Sequence, residues 1–147
     1  MNQSDTLLAK LKSHAVKASE HSYSPYSRFP VGAAVLSETG QVYSGCNVEN
    51  ASLGLTQCAE RVAVTAAVAD GATAGSLGTL LIYTPGESAH PPCGACRQVM
   101  HELMADDALV VSCCDGDELK TWTGPEYLPD PFVPESLLAF SPPVPES

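Results

Sequence analysis

Cys58, Glu60, Cys93 and Cys96 are the residues of this 147-residue chain whose types and spacing could do chemistry together. Three thiolates can hold a zinc ion and leave its fourth position open. A carboxylate two residues from the first ligand is placed to move protons to and from a water activated there. Neither half carries this reading alone, since a lone Cys-x-x-Cys is common and an isolated Cys-x-Glu means little. Both halves occur in order, Cys58-Ala59-Glu60-Arg61 and then Pro92-Cys93-Gly94-Ala95-Cys96, each where a helix is expected to begin. Residues at i and i+3 share a helix face, so Cys93 and Cys96 can share an ion. The positive end of a helix also lowers a thiol's pKa and favours the thiolate that binds metal. Three thiolates make the centre net anionic and weaken its pull on water. Arg61 is therefore expected to donate a hydrogen bond to a ligand sulfur and return some Lewis acidity. Arg97 flanks Cys96 and is open to the same role or to a surface ion pair.

Glu60 lies in a stretch almost free of other charge, which is unlike a solvated helix face. It is expected to take a proton from the activated water, pass it to a ring nitrogen of the substrate and later protonate a leaving amine. The remaining thiols, Cys46, Cys113 and Cys114, sit in or at the end of expected strands and read as buried packing residues. His90, as a fourth ligand, would close the metal site, so it reads as a loop histidine without a metal role. His14, His21 and His101 have no partner motif.

These residues need elements to position them. Leu7, Leu8, Leu11, Ala15 and Ala18 recur at helical spacing and predict an amphipathic helix from about Ser4 to Glu20, capped by Ser4 or Asp5. A proline-punctuated loop follows from Tyr23 to Pro30. Val31–Leu36 and Gln41–Cys46 read as a hairpin turning at Ser37-Glu38-Thr39-Gly40. A largely buried helix is expected from Cys58 to Ala69, ended by Asp70-Gly71. A buried strand follows at Thr79–Tyr83 and a helix at Cys93–Met104, then strands at Leu109–Cys113 and Glu118–Thr123. The order α-β-β-α-β-α-β-β predicts a three-layer α/β/α sandwich with a mixed five-stranded sheet. Both ligand-bearing helices follow strands, so their N-termini should meet at one sheet edge. Residues 1–133 read as a single catalytic domain and 134–147 as a Pro-rich C-terminal tail.

Composition narrows the partners. A chain with 44% hydrophobic and 16% charged residues is globular. Seven Lys and Arg against seventeen Asp and Glu give a formal charge of −10, with no basic cluster. That argues against nucleic acid or an anionic membrane and for a small neutral substrate. No stretch approaches the roughly 20 apolar residues of a membrane span. The N-terminus lacks the order of a secretion signal, and six cysteines in such a chain favour thiols or metal ligands over disulfides. A cytoplasmic protein is expected.

The order Cys-x-Glu then Pro-Cys-x-x-Cys is the signature of zinc nucleobase deaminases, and more of the chain agrees. Tyr23-Ser24-Pro25-Tyr26-Ser27, Phe29-Pro30-Val31-Gly32-Ala33-Ala34, Cys46-Asn47-Val48-Glu49-Asn50-Ala51-Ser52 and Pro92-Cys93-Gly94-Ala95-Cys96-Arg97-Gln98-Val99 resemble the short, zinc-dependent cytidine deaminases of the homotetrameric type. The resemblance spans about Tyr23 to Phe132. It implies hydrolytic deamination of cytidine and 2′-deoxycytidine, a pyrimidine-salvage reaction releasing ammonia, with one zinc per subunit. It further implies that Asn47 and Glu49 hold the ribose hydroxyl, that the backbone at Ala59 contacts the base, and that Phe29 lies against it. Phe132, within Leu128-Pro129-Asp130-Pro131-Phe132, corresponds to the phenylalanine that a neighbouring subunit inserts into each site. Two departures stand out. Leu53 replaces the usual Tyr after Asn-Ala-Ser, and Val133-Pro134 replaces the usual Gly-Pro.

Other classes explain less. A structural zinc module needs a fourth ligand and has no use for Glu60. A thiol redox protein built on Cys93 and Cys96 leaves Cys58 and Glu60 idle. A deaminase of another aminopyrimidine, such as the blasticidin type, shares the metal motif, but Asn47, Glu49 and the loop at Phe29 favour a plain nucleoside.

Overall fold

Residue alternation along the strands decides which helix covers which face. The computed structural model describes residues 3–138, and its order is α1 (Gln3–Ser19), β1 (Gly32–Ser37), β2 (Val42–Cys46), a 3-10 turn (Leu53–Leu55), α2 (Ala59–Ala69), β3 (Leu77–Tyr83), α3 (Gly94–Leu103), β4 (Met104–Cys113), β5 (Leu119–Thr123), α4 (Gly124–Tyr127) and α5 (Pro134–Leu138). The five strands form one mixed sheet in the order β2-β1-β3-β4-β5. On one face, Ala34 of β1, Leu81 and Tyr83 of β3 and Val111 and Cys113 of β4 pack with Leu11 and Ala15 of α1. On the other, Ala33, Val35, Leu80, Ile82 and Val110 pack with Ala63, Val64 and Ala67 of α2 and Met100 of α3. Successive side chains point to opposite faces, so each strand supplies both layers of core. The expected three-layer sandwich is the observed one.

The elements differ from expectation mainly at their edges. Ser4 and Asp5 lie within α1 rather than capping it. β4 begins at Met104, five residues early, directly where α3 ends, because Met104 pairs with Leu77 of β3 ahead of a register shift. The proline-rich stretch is not all irregular. Thr123 and Glu126 make a reciprocal capping box that starts α4 with Pro125 in its first turn. The first five residues of the expected tail form α5, and 139–147 lie outside the described residues. Gly40, at φ 83°, takes the left-handed position of the β1–β2 turn, as expected.

Two glycines let helices close on the sheet. A Cβ on Gly32 would stand 1.8 Å from the Ala15 carbonyl oxygen of α1. On Gly45 it would stand 2.6 Å from the Ala63 nitrogen of α2. Helix backbone rests directly on strand backbone at both points, one on each face, and backbone cannot swing aside as a flexible side chain can.

β1 is antiparallel to both its neighbours, so β2 and β3 run the same way and end at one sheet edge. α2 follows β2 and α3 follows β3, which brings both helix N-termini to that edge. Urea unfolding tests the seats beneath the helices. Gly32→Ala and Gly45→Ala should each lose about 3 kcal/mol, whereas Gly78→Ala, whose Cβ meets nothing within 4 Å, should stay within about 0.5 kcal/mol of the parent.

Candidate active site

Cys58 and Cys93 are the N-cap residues of α2 and α3, each in extended conformation, and neither side chain caps its helix. The partial positive charge of two helix starts therefore lies beside the Cys58 and Cys93 residues. Cys96 stands one turn into α3 and is fully buried. Cys58 Sγ lies 3.9 Å from Cys93 Sγ, and Cys93 Sγ lies 3.5 Å from Cys96 Sγ. All three sulfurs fall within 4.8 Å of one another, a set that could hold a metal ion. Sulfurs at the usual distance from a tetrahedral zinc are about 3.8 Å apart, so both the spacing and the soft thiolate chemistry fit that ion. Among the described residues no fourth His, Cys, Asp or Glu completes the group.

The charges around the sulfurs are uneven. The neighbouring Cys96 thiol and then the Arg61 guanidinium stabilise the Cys58 thiolate and pull its pKa well down. Cys96, facing that thiolate and buried, is pushed up. Arg61 Nη2 donates to the Thr56 carbonyl at 2.8 Å and lies 3.6 Å from Cys58 Sγ, a long contact that suits sulfur. Arg97 behaves differently. It braces the loop ahead of Cys93, with Nε donating to the Pro92 carbonyl at 2.9 Å and Nη1 to the Tyr127 carbonyl at 2.8 Å.

Glu60 occupies the second position of α2 and is 6% exposed. Burial disfavours its charged form and raises its pKa above the ordinary carboxylate value. Beside it opens a cavity of about 290 Å³ lined by Cys58, Cys93, Ala59, Phe29 and Asn47 among others. Ala59 opens α2, so its N–H has no acceptor within the helix and remains available to a ligand.

Asn47 leaves the end of β2 and organises the preceding loop. Its Oδ1 accepts from the Ser22 hydroxyl and from the Val31 N–H at 2.9 Å, while Nδ2 donates to the Phe29 carbonyl at 2.9 Å. Both lone pairs are thus taken, and one Nδ2 hydrogen remains for a ligand. Glu49 lies outside the cavity lining. Its Oε2 accepts the N–H groups of Tyr26 and Ser27 at 2.9 and 3.2 Å. The Ser27 and Tyr26 contacts hold its pKa down. Phe132 is 58% exposed and also outside the cavity, its carbonyl accepting from Gln98 Nε2 at 2.7 Å.

Sequence reasoning set His90 aside, yet it lines this cavity and meets Phe29 edge to face, ring centroids 5.6 Å apart. The available signal was its place just ahead of Pro91-Pro92-Cys93, which obliges the loop to pass the site. Thr56, Ile82 and Thr84 also line the cavity and carried no such signal.

Residues 6–113 match the family described as "Cytidine and deoxycytidylate deaminase zinc-binding region". The chain is 41% identical over 128 residues to a cytidine deaminase of Sporosarcina psychrophila, covering 87% of this chain and 93% of that one. It is 44% identical over 124 residues to a cytidine deaminase of Halalkalibacterium halodurans, covering 84% and 92%. A crystal structure of cytidine deaminase from Burkholderia pseudomallei superposes with a TM-score of 0.81 at 39% identity, covering 90% of this chain and all of that one. Both the sheet with its helices and the three-cysteine group are accounted for: the chain belongs to the zinc-binding cytidine and deoxycytidylate deaminase family.

Proposed function

We propose that the chain hydrolyses cytidine and 2′-deoxycytidine to the corresponding uridines, releasing ammonia, as a homotetramer with one zinc held by Cys58, Cys93 and Cys96 in each subunit. The observation that carries this reading is the single cavity in which Glu60, two of the sulfurs, Asn47 and the ring of Phe29 converge. Its volume is near the lower end of small-ligand sites, which suits a nucleoside. When bound there, zinc lowers the pKa of water toward neutrality and supplies a nucleophile.

The Glu60 carboxylate would accept a proton from the attacking water and deliver it to N3 of the base, which makes C4 electrophilic. The water oxygen would bond to C4; the hydroxyl so formed would yield its proton to Glu60, which passes it to the amine as the C4–N4 bond breaks, leaving the C4 carbonyl and ammonia. Its buried position keeps bulk water from competing for those protons. Arg61 draws electron density from the Cys58 sulfur. The Ala59 N–H binds the base, Phe29 lies on its face, and the free Nδ2 hydrogen of Asn47 donates to a sugar hydroxyl whose proton the Glu49 carboxylate accepts. No helix among the described residues is long and apolar enough to cross a membrane.

The tetramer is supported by exposed apolar side chains. Leu53 is 73% exposed and, with Leu55, Tyr26 and Phe132, presents side chains that water solvates poorly. Phe132 is exposed and outside its own cavity, so in the tetramer it would enter a neighbour's and complete the site there.

Three measurements test this reading. Zinc-loaded protein should release ammonia from cytidine, and Glu60→Gln should lower kcat by about 10² to 10⁴ while zinc content stays at one per chain. Absence of turnover by the loaded parent would overturn the cytidine assignment. Asn47→Ala orphans part-buried partners along the segment from Ser22 to Val31 and should cost about 3 kcal/mol in urea unfolding, together with a raised KM. Sedimentation should find four chains, and mixing inactive Glu60→Gln with impaired Phe132→Ala chains should recover activity, because some sites then combine an intact Glu60 with an intact Phe132.

A further inference from the structure

Resting on the cytidine reading, we propose that His90 is a specificity-determining residue, forming with Phe29 an aromatic corner that meets the C5 edge of a bound cytosine and limits what that carbon can carry. His90 and Phe29 line the same cavity as Glu60 and Cys93. Their planes stand at 82° with centroids 5.6 Å apart. A flat ring stacked on one wall of such a corner presents its edge to the other.

The chemistry fixes which edge. Hydrolysis at C4 places that carbon beside the sulfurs, with N3 within hydrogen-bond reach of Glu60. N3 and C5 are the two ring neighbours of C4 and point to opposite sides of it. Glu60 enters from the start of α2, whereas His90 and Pro91 belong to the segment that leads into α3. With N3 turned to α2, C5 turns to His90.

The wall is held from both sides. Ala89, just before His90, is fully buried; its N–H donates to Glu118 Oε2 at 2.8 Å and its carbonyl accepts from Lys120 Nζ at 2.7 Å. Lys120 and Glu118 are themselves paired at 3.3 Å. Pro91, just after, restricts His90 to extended backbone. Backbone braced at both neighbours fixes the position from which the exposed His90 ring reaches the cavity, and a fixed wall is what discrimination by size requires.

The test compares kcat/KM for cytidine and 5-methylcytidine on zinc-loaded protein. The parent should favour cytidine. His90→Ala should raise the ratio of 5-methylcytidine to cytidine by about tenfold or more, the selectivity that one methyl group commands in a fitted pocket, while His90→Phe keeps the corner and the parental ratio. Lys120→Met, which loosens the wall from outside the cavity, should shift the ratio the same way by a smaller factor. An unchanged ratio in zinc-loaded His90→Ala overturns the proposal. Should that variant fail to fold, His90→Trp probes the wall from the opposite direction, and a ratio that does not fall overturns it equally. If the parent deaminates neither nucleoside, the cytidine reading fails before any variant is compared.

Discussion

The site depends on two helix N-termini meeting end to end. A strand antiparallel to both of its neighbours makes those neighbours parallel to each other, and so delivers Cys58 and Cys93 to the same edge although 35 positions separate them. Two partial positive charges then converge on sulfur, together with a guanidinium at 3.6 Å. The same junction buries Glu60, because the second residue of a helix whose start abuts another helix has little access to water. Metal-ligand chemistry and proton-transfer chemistry are thus two results of one packing arrangement.

Around that rigid edge, loops supply the rest of the cavity, and each is tied down by a polar group from another part of the chain. Asn47 holds the segment from Ser22 to Val31, and Arg97 holds Pro92 against Tyr127. Asp115 accepts the Tyr83 hydroxyl and the Gly86 N–H, fixing the start of the loop that ends at Cys93. Loops so anchored can present functional groups with the precision of regular elements, which a binding site on loops otherwise lacks.

The sandwich was legible because its signals are local. Short apolar runs in β1 and β3, helical spacing in α1 and the Ala-rich run of α2 each lie within about a dozen consecutive residues. The three cysteines and Glu60 were legible for the same reason, each pair separated by a fixed, short interval. What escaped depends on distant partners. Arg97 reads as a second Arg61 until Tyr127 is seen 30 positions away. Asn47 reads as a ligand residue, and only the loop packed against it reveals three bonds already made. The early start of β4 was hidden because Met104 pairs with Leu77, a register no periodicity records. His90 had chemistry but no spacing to give it meaning.

The junction between α3 and β4 has a geometric consequence. No connecting residues separate Leu103 from Met104, so the helix that carries Cys93 and Cys96 at one end is welded to the sheet at the other. Each α-helical residue adds about 1.5 Å and about 100° of rotation. Between the ligands and the strand, α3 therefore acts as a ruler without slack. One residue inserted or deleted there would turn Cys96 about a quarter of the way round the helix relative to Met104, an error that only the irregular stretch of β4 after Met104 could take up. Side chains along α3 can change, but its length cannot.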